Sequence, residues 1–280
     1  MTSIYADAHV HIRRCFDLDR LFTSALDHAE GLGGPLFLLL AESEGDDYFD
    51  RLRHLAAGDP DGAGREAGET HPSILPALNV RVRLTAEPHS LIVDRDDGSA
   101  AEVYLVAGRQ KVSKERIEVL ALCLDPADPL RCEQDGVLSA EGLVRRVLDA
   151  GAAAVLPWGF GKWIGARGAK VADLVRHQDF CAHPRFFLGD IAHRCWPWPA
   201  PRAFGAGVRV LRGTDPLPLA GLEGSLARYG SCVDGEWDPG RPVGSLLAAL
   251  DEGRRIGSVG QRDSLGATLN QQLRYRMRRR

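Results

Sequence analysis

Residues 35–43, Pro-Leu-Phe-Leu-Leu-Leu-Ala-Glu-Ser, limit the possible folds more than any other stretch of this chain. A strand with one wet face alternates apolar and polar residues, whereas a run apolar at every position belongs to a strand covered on both sides. The flanking segments supply that cover. Upstream, Asp17 precedes a helical repeat with Leu18, Leu21, Phe22, Ala25 and Leu26 on one face, closed by Gly31 and Gly33; downstream, residues 46–57 read as a second helix. Ahead of both, Ile4, Ala6, Ala8, Val10 and Ile12 alternate with Tyr5, Asp7, His9 and His11, the period of two that marks a strand. Two strand–helix units therefore open the chain, as in an α/β barrel or a doubly wound sheet.

Residues 58–73, rich in Gly, Asp, Glu and Pro, break this alternation as a surface excursion. Strands then replace helices, over 77–84, 89–95, 101–108 and 116–124, with Asp96-Asp97-Gly98 as a hairpin turn. Alternation returns with helices over 139–150 and 166–177, strands over 152–157, 186–191 and 208–213, and a short helix before Gly205. Two further helices are expected within 243–253 and 264–280. The whole reads as a single domain over 1–280, with a β-rich insertion at about 58–116 and a C-terminal helical extension at about 242–280. A hydrophobic content of 44% is enough to build a core of that size.

Charge and cysteine usage narrow the setting. A net charge of −3 gives no global attraction to nucleic acid or anionic lipid, and no apolar run approaches the ~18 residues needed to span a bilayer. The opening Met-Thr-Ser-Ile-Tyr-Ala lacks a basic region followed by an apolar stretch, so a cytoplasmic protein without membrane or nucleic-acid partners is expected. Cys15, Cys123, Cys132, Cys181, Cys195 and Cys232 contain no CxxC pair, which argues against a disulfide framework and a zinc knuckle and for reduced thiols that are buried or half-buried.

Chemistry concentrates in Asp7-Ala-His-Val-His11. Side chains two apart on a strand share a face, so Asp7, His9 and His11 stand close enough to hold one ion, and imidazole with carboxylate is the donor set of borderline divalent metals. Ordinary strand histidines hydrogen-bonded at a surface would show the same spacing.

Asp-Ala-His-Val-His-Ile followed by Asp17 resembles the first motif of the polymerase and histidinol phosphatase (PHP) family. The resemblance implies a distorted (β/α)7-type barrel, here carrying the β-rich insertion, and phosphoester hydrolysis by bound divalent metals. It places Glu118, in Arg-Ile-Glu-Val-Leu, where the family has a metal-bridging glutamate, and Asp215 where it has an aspartate at a strand end. The implied ligands are His9, His11, Asp17, Glu118 and Asp215, with Glu42 or Glu44 as an oxygen ligand and His193 as a late addition. Three family histidines are replaced: Ala41-Glu42-Ser43 stands in place of Thr-Asp-His, Trp158 in place of the Ala-His-Pro histidine, and Pro216-Leu217 follows Asp215. Such a set suits one or two ions of Zn, Mn or Fe rather than three. Asp215 would serve as ligand or base, and His193 joins it as a candidate catalytic group.

Residues 157–168, Pro-Trp-Gly-Phe-Gly-Lys-Trp-Ile-Gly-Ala-Arg-Gly, follow a strand end, where α/β enzymes keep their sites. Trp158, Lys162 and Arg167 are candidates to bind an anionic small-molecule substrate there, as is Arg109 in Ala-Gly-Arg-Gln; a tight aromatic-packed loop with solvated cations is the plain alternative. His28, His54, His71, His89, His177 and His183 lack a partner pattern, and the tail Arg-Tyr-Arg-Met-Arg-Arg-Arg reads as a solvated helix end. The chain is thus expected to be a metal-dependent hydrolase of a small phosphoester. A catalytically inactive barrel acting as a binding protein, and a C–N hydrolase of the amidohydrolase type, are the alternatives.

Overall fold

A computed structural model of the chain describes residues 1–58, 79–95 and 101–278. The first four elements follow the expected order: β1 (Thr2–Val10), α1 (Leu18–Glu30), β2 (Leu36–Leu40) and α2 (Tyr48–Ala56). Asp17 caps α1, its carboxylate accepting from the Arg20 amide at 3.2 Å, and the buried face of α1 includes Leu18, Leu21, Phe22, Ala25 and Leu26. Five strands come next: β3 (Val80–Leu84), β4 (Ser90–Arg95), β5 (Glu102–Val106), β6 (Gly108–Val112) and β7 (Glu118–Leu122). The excursion from 59 onward and the Asp96-Asp97-Gly98 turn lie outside the described residues. The remainder runs α3 (Ala140–Asp149), β8 (Ala153–Pro157), α4 (Ala166–Leu174), α5 (Gln178–Cys181), β9 (Phe186–Ile191), β10 (Val210–Gly213), β11 (Tyr229–Gly235), α6 (Pro242–Asp251), β12 (Gly257–Gly260) and α7 (Leu265–Arg278). Before Gly205 the expected short helix is a single 3₁₀ turn, Arg202–Gly205.

These strands form two open mixed sheets, ordered β12-β11-β1-β2-β5-β4-β3 and β10-β9-β8-β7-β6, and not the barrel that the PHP resemblance implied. The reason is edge occupancy. Closure would need β10 to ladder with β1, but β1 already pairs with β2 on one side and antiparallel β11 on the other. At the second seam β2 is flanked by β1 and β5, so β6 meets its end only through the isolated bridge between Glu42 and Arg109. β11 and β12, which had no sequence reading, complete one edge of the larger sheet. Strands β3 to β5, read as part of an insertion, extend that same sheet beyond β2.

The unbroken apolar run of β2 is explained by this layering. Phe37 and Leu39 point into a core shared with Leu120, Leu122, Val155, Phe187 and Leu211 of the smaller sheet, whereas Leu36, Leu38 and Leu40 pack with Leu21, Phe22 and Leu26 of α1 and Phe49 of α2. On the far side, α3 and α4 cover the smaller sheet through Leu143, Val147, Val171 and Leu174. Gly108 lies where the chain passes from one sheet to the other; a Cβ there would fall 2.2 Å from the Leu40 carbonyl oxygen. All six cysteines are free thiols, with Cys132 and Cys181 exposed rather than buried.

Candidate metal centre

β1 ends beside the end of β10, and this junction gathers the candidate ligands. His9 Nε2 lies 3.1 Å from His11 Nε2, and each lies 3.7 Å from Asp215 Oδ1. The three side chains present ligand atoms all within 4.8 Å of one another. Both histidines are buried, and Asp215 is half-buried, so the trio reaches solvent on the aspartate side. Burial lowers the pKa of His9 and, more strongly, of His11, where Arg13 adds to the effect. Neutral rings with lone pairs are the form a metal needs. Burial would raise the Asp215 pKa, but the adjoining His9, His11, Lys162 and His193 hold it well below the usual carboxylate range.

The donor set fits a divalent ion. Two imidazole nitrogens and one carboxylate oxygen are hard-to-borderline ligands, and three protein ligands with an open side is the pattern of catalytic rather than structural sites. His9 Nδ1 and His11 Nδ1 are buried and without hydrogen-bond partners. Each ring therefore directs its polar contacts at the trio, where a cation would satisfy two nitrogens otherwise facing only each other and a carboxylate.

Three devices hold this geometry. Asp7 does not join the trio; its Oδ1 accepts from the amides of His9 at 3.2 Å and Thr214 at 2.8 Å, and its Oδ2 from the Thr214 hydroxyl at 2.5 Å and the Ala227 amide at 3.0 Å. Burial nonetheless pushes its pKa up to about 6. Gly213 permits the close approach of β10, since a Cβ there would stand 2.3 Å from the His9 amide nitrogen. Beyond it Asp215 adopts a left-handed conformation, φ 46°, fixed by its amide donating to the His9 carbonyl at 2.8 Å.

His193 supports the aspartate from behind. Its Nε2 lies 2.7 Å from the Asp215 carbonyl oxygen and its Nδ1 2.9 Å from Asp263 Oδ2. Both neighbours only accept, so this geometry favours the protonated ring, with both nitrogens donating. Burial opposes that charge, but the bond to Asp263 and the nearby Asp215 carboxylate raise the His193 pKa. With neither nitrogen free, His193 positions Asp215 and does not ligate. Sequence reasoning missed Asp263 and Thr214: Asp263 lies 70 residues from His193 in a short loop, and no spacing pattern connects them.

The other candidate residues are placed elsewhere. Asp17 is exposed and engaged as the α1 cap. Glu42 is buried, accepts from the Phe49 amide at 2.8 Å, and stands 3.6 Å from Arg109 and 3.5 Å from Arg131. Burial pushes its pKa up to about 7 against both arginines. Arg109 lies on β6 of the β6–β7 hairpin and donates to the carbonyls of Ser43 and Asp46, tying down the 42–46 loop instead of facing a substrate. Glu118 pairs with Lys162, and both carry charge felt at His9, so this pair borders the trio without belonging to it. Trp158 is buried, its amide bonded to the Gly189 carbonyl, and heads an edge-to-face series with Phe160 and Trp198. Arg167 donates to the Gly161 carbonyl at 2.9 Å, closing its own loop.

No family model matches the sequence, and no curated protein matches it. Among solved structures the chain is similar to PsfC from Pseudomonas syringae, with a TM-score of 0.57 and 13% identity across 99% of each chain. Likeness at that identity is likeness of fold, and it runs the full length of both chains.

Proposed function

We propose that this chain is a hydrolase dependent on a single divalent ion, Zn, Mn or Fe, acting on a small anionic ester and most directly a phosphoester. The observation that carries the reading is the His9, His11 and Asp215 trio, buried on the histidine side, open beside Asp215, and bordered by the Lys162 cation. The likeness of the Asp7–Ile12 stretch to the first PHP motif supports the phosphoester. What an ion supplies when bound there is a water of lowered pKa and a Lewis-acidic contact for a phosphoryl oxygen.

The protein's own residues do the rest. Asp7 and Gly213 fix the spacing of β1 and β10, and the Asp263–His193 pair holds the Asp215 backbone, so the ligands do not reorganise on loading. Lys162, half-exposed and oriented by Glu118, binds the anionic group of the substrate. Asp17 and Glu42 are engaged elsewhere, which favours one ion over two.

Elemental analysis of untagged protein beside a His9→Ala/His11→Ala variant tests this. About one equivalent of metal in the wild type and none in a folded variant, with phosphoester turnover lost in parallel, is the expected result. A wild type that stays metal-free when Zn, Mn and Fe are supplied, or a variant that keeps its metal, ends the hydrolase reading and leaves a binding protein in its place.

A further inference from the structure

α7 is built the wrong way round for a helix whose only neighbour is its own protein. The side chains it buries are Thr268 and Gln271, 2% and 8% exposed, whereas Leu265, Leu269, Leu273 and Met277 are 48%, 60%, 59% and 61% exposed. An isolated exposed leucine is ordinary; four at a spacing of four residues make a continuous apolar face. At about 100° per residue the four advance by about 40° per step and span an arc of about 120°. At the C-terminal end of this arc Arg276 and Arg274 fall on opposite flanks of Leu273 and Met277. The helix Leu-Gly-Ala-Thr-Leu-Asn-Gln-Gln-Leu-Arg-Tyr-Arg-Met-Arg holds no acid, and the sequence continues with Arg279 and Arg280, outside the described residues.

The pattern decides between occupants. A partner helix seats on a narrow seam with alternating spacings of three and four, and a spacing of four throughout winds away from it. A second copy of this chain would also bring arginines against arginines with no acid on α7 to pair them. A wide apolar arc whose C-terminal turns carry a cation on either side of Leu273 and Met277 is what a flat anionic surface accepts, the leucines entering the acyl boundary and the guanidiniums meeting phosphates. Trp196, 70% exposed, bridges to Ser264 just ahead of α7 and adds the residue type enriched at bilayer interfaces. No helix among the described residues is long and apolar enough to cross a membrane, so such contact lies on the surface. The net charge of −3 averages over the whole chain and conceals this local cationic face.

We propose that α7 docks the protein onto anionic lipid surfaces, with Leu265, Leu269, Leu273 and Met277 inserted at headgroup depth and Arg274, Arg276 and Arg278 on lipid phosphates. The test is cosedimentation of the full chain with vesicles of phosphatidylcholine containing about 30% phosphatidylglycerol, against pure phosphatidylcholine, at low and high salt. Binding should be at least about tenfold stronger to the anionic vesicles, weaken with salt, and fall by about tenfold or more in both Leu269→Ser/Leu273→Ser and Arg274→Gln/Arg276→Gln. All four residues are exposed and the one hydrogen bond lost among the described residues is that from Arg274 to the Ala220 carbonyl at 3.2 Å, so both variants should keep the wild-type circular dichroism and shift the melting temperature by no more than a few degrees. Four outcomes overturn the proposal: wild type that stays in the supernatant with anionic vesicles, binding that survives both variants, tighter binding to a DNA duplex than to the vesicles, or a solution dimer that Leu269→Ser/Leu273→Ser converts to monomer.

Discussion

Replacing Gly213 by alanine probes the junction on which the candidate metal centre rests. The added Cβ would stand 2.3 Å from the His9 amide nitrogen, 2.7 Å from the His9 Cβ and 2.8 Å from Asp7 Oδ1. Ordinary contact between such atoms is about 3.5 Å, so β10 must retreat from β1 by roughly 1 Å. That retreat stretches three hydrogen bonds crossing the junction, from the Thr214 amide and hydroxyl to Asp7 at 2.8 and 2.5 Å and from the Asp215 amide to the His9 carbonyl at 2.8 Å. At about 3.5–3.8 Å they no longer count as hydrogen bonds, and each buried group left unpaired costs about 1–3 kcal/mol. The sum is about 3–9 kcal/mol, or a drop of about 1–3 M in urea midpoint for a slope near 3 kcal/mol/M. Asp215 moves with the strand, so metal affinity measured by chelator competition should fall about 10–100-fold. Gly33→Ala is the control, because nothing lies within 4 Å of its added methyl group; it should shift the midpoint by less than about 0.3 M. If Gly213→Ala unfolds and binds metal as the control does, β10 does not press on β1 and the bracing argument is wrong.

Two further outcomes separate the trio from its surroundings. Because burial lowers the pKa of both His9 and His11 below 6.5, half-protonation of the rings falls below that pH; metal affinity, corrected for the competing chelator, should fall by less between pH 7.5 and 6.5 than the roughly threefold that two ordinary imidazoles would lose. Glu42→Ala should leave metal content unchanged and destabilise the fold by about 3 kcal/mol in urea, since it strips a buried carboxylate from Arg109 and Arg131; loss of metal in that variant would return Glu42 to the ligand set.

The local elements were legible because each carries its own periodicity. The alternation at Ile4–Ile12, the Leu18–Leu26 face behind the Asp17 cap and the two-sided run of β2 each record what the segment packs against, and the structure agrees with all three. The closure was not legible, since whether strands return into a barrel depends on which neighbour takes each free edge. That neighbour at β1 is β11, Tyr-Gly-Ser-Cys-Val-Asp-Gly, which has glycine at both ends of its alternation and gives no strand signal by itself. A strand recruited by an edge already formed is stabilised by its partner's unpaired amides and carbonyls rather than by its own residues.

The same distinction runs through the site. A histidine pair two residues apart on a strand is a local feature, and its capacity to offer two ligand nitrogens to one ion was readable before any fold was known. Which carboxylate completes it is a long-range fact: Asp215 arrives 204 residues after His11 only because Gly213 lets β10 touch β1, while Asp17, closer in sequence and favoured by the same resemblance, is held at the start of α1. Capping and ligation compete for one carboxylate, and a helix capped six residues after His11 settles the competition locally, by a bond to the amide of Arg20 that needs no distant strand. For Glu118 the rival is Lys162, an ion pair at the rim of the trio, and a cation there takes the carboxylate that a second metal would need. The number of ions such a centre could hold is therefore set less by how many acidic residues the sequence brings near than by how many of them the fold leaves without a stronger partner.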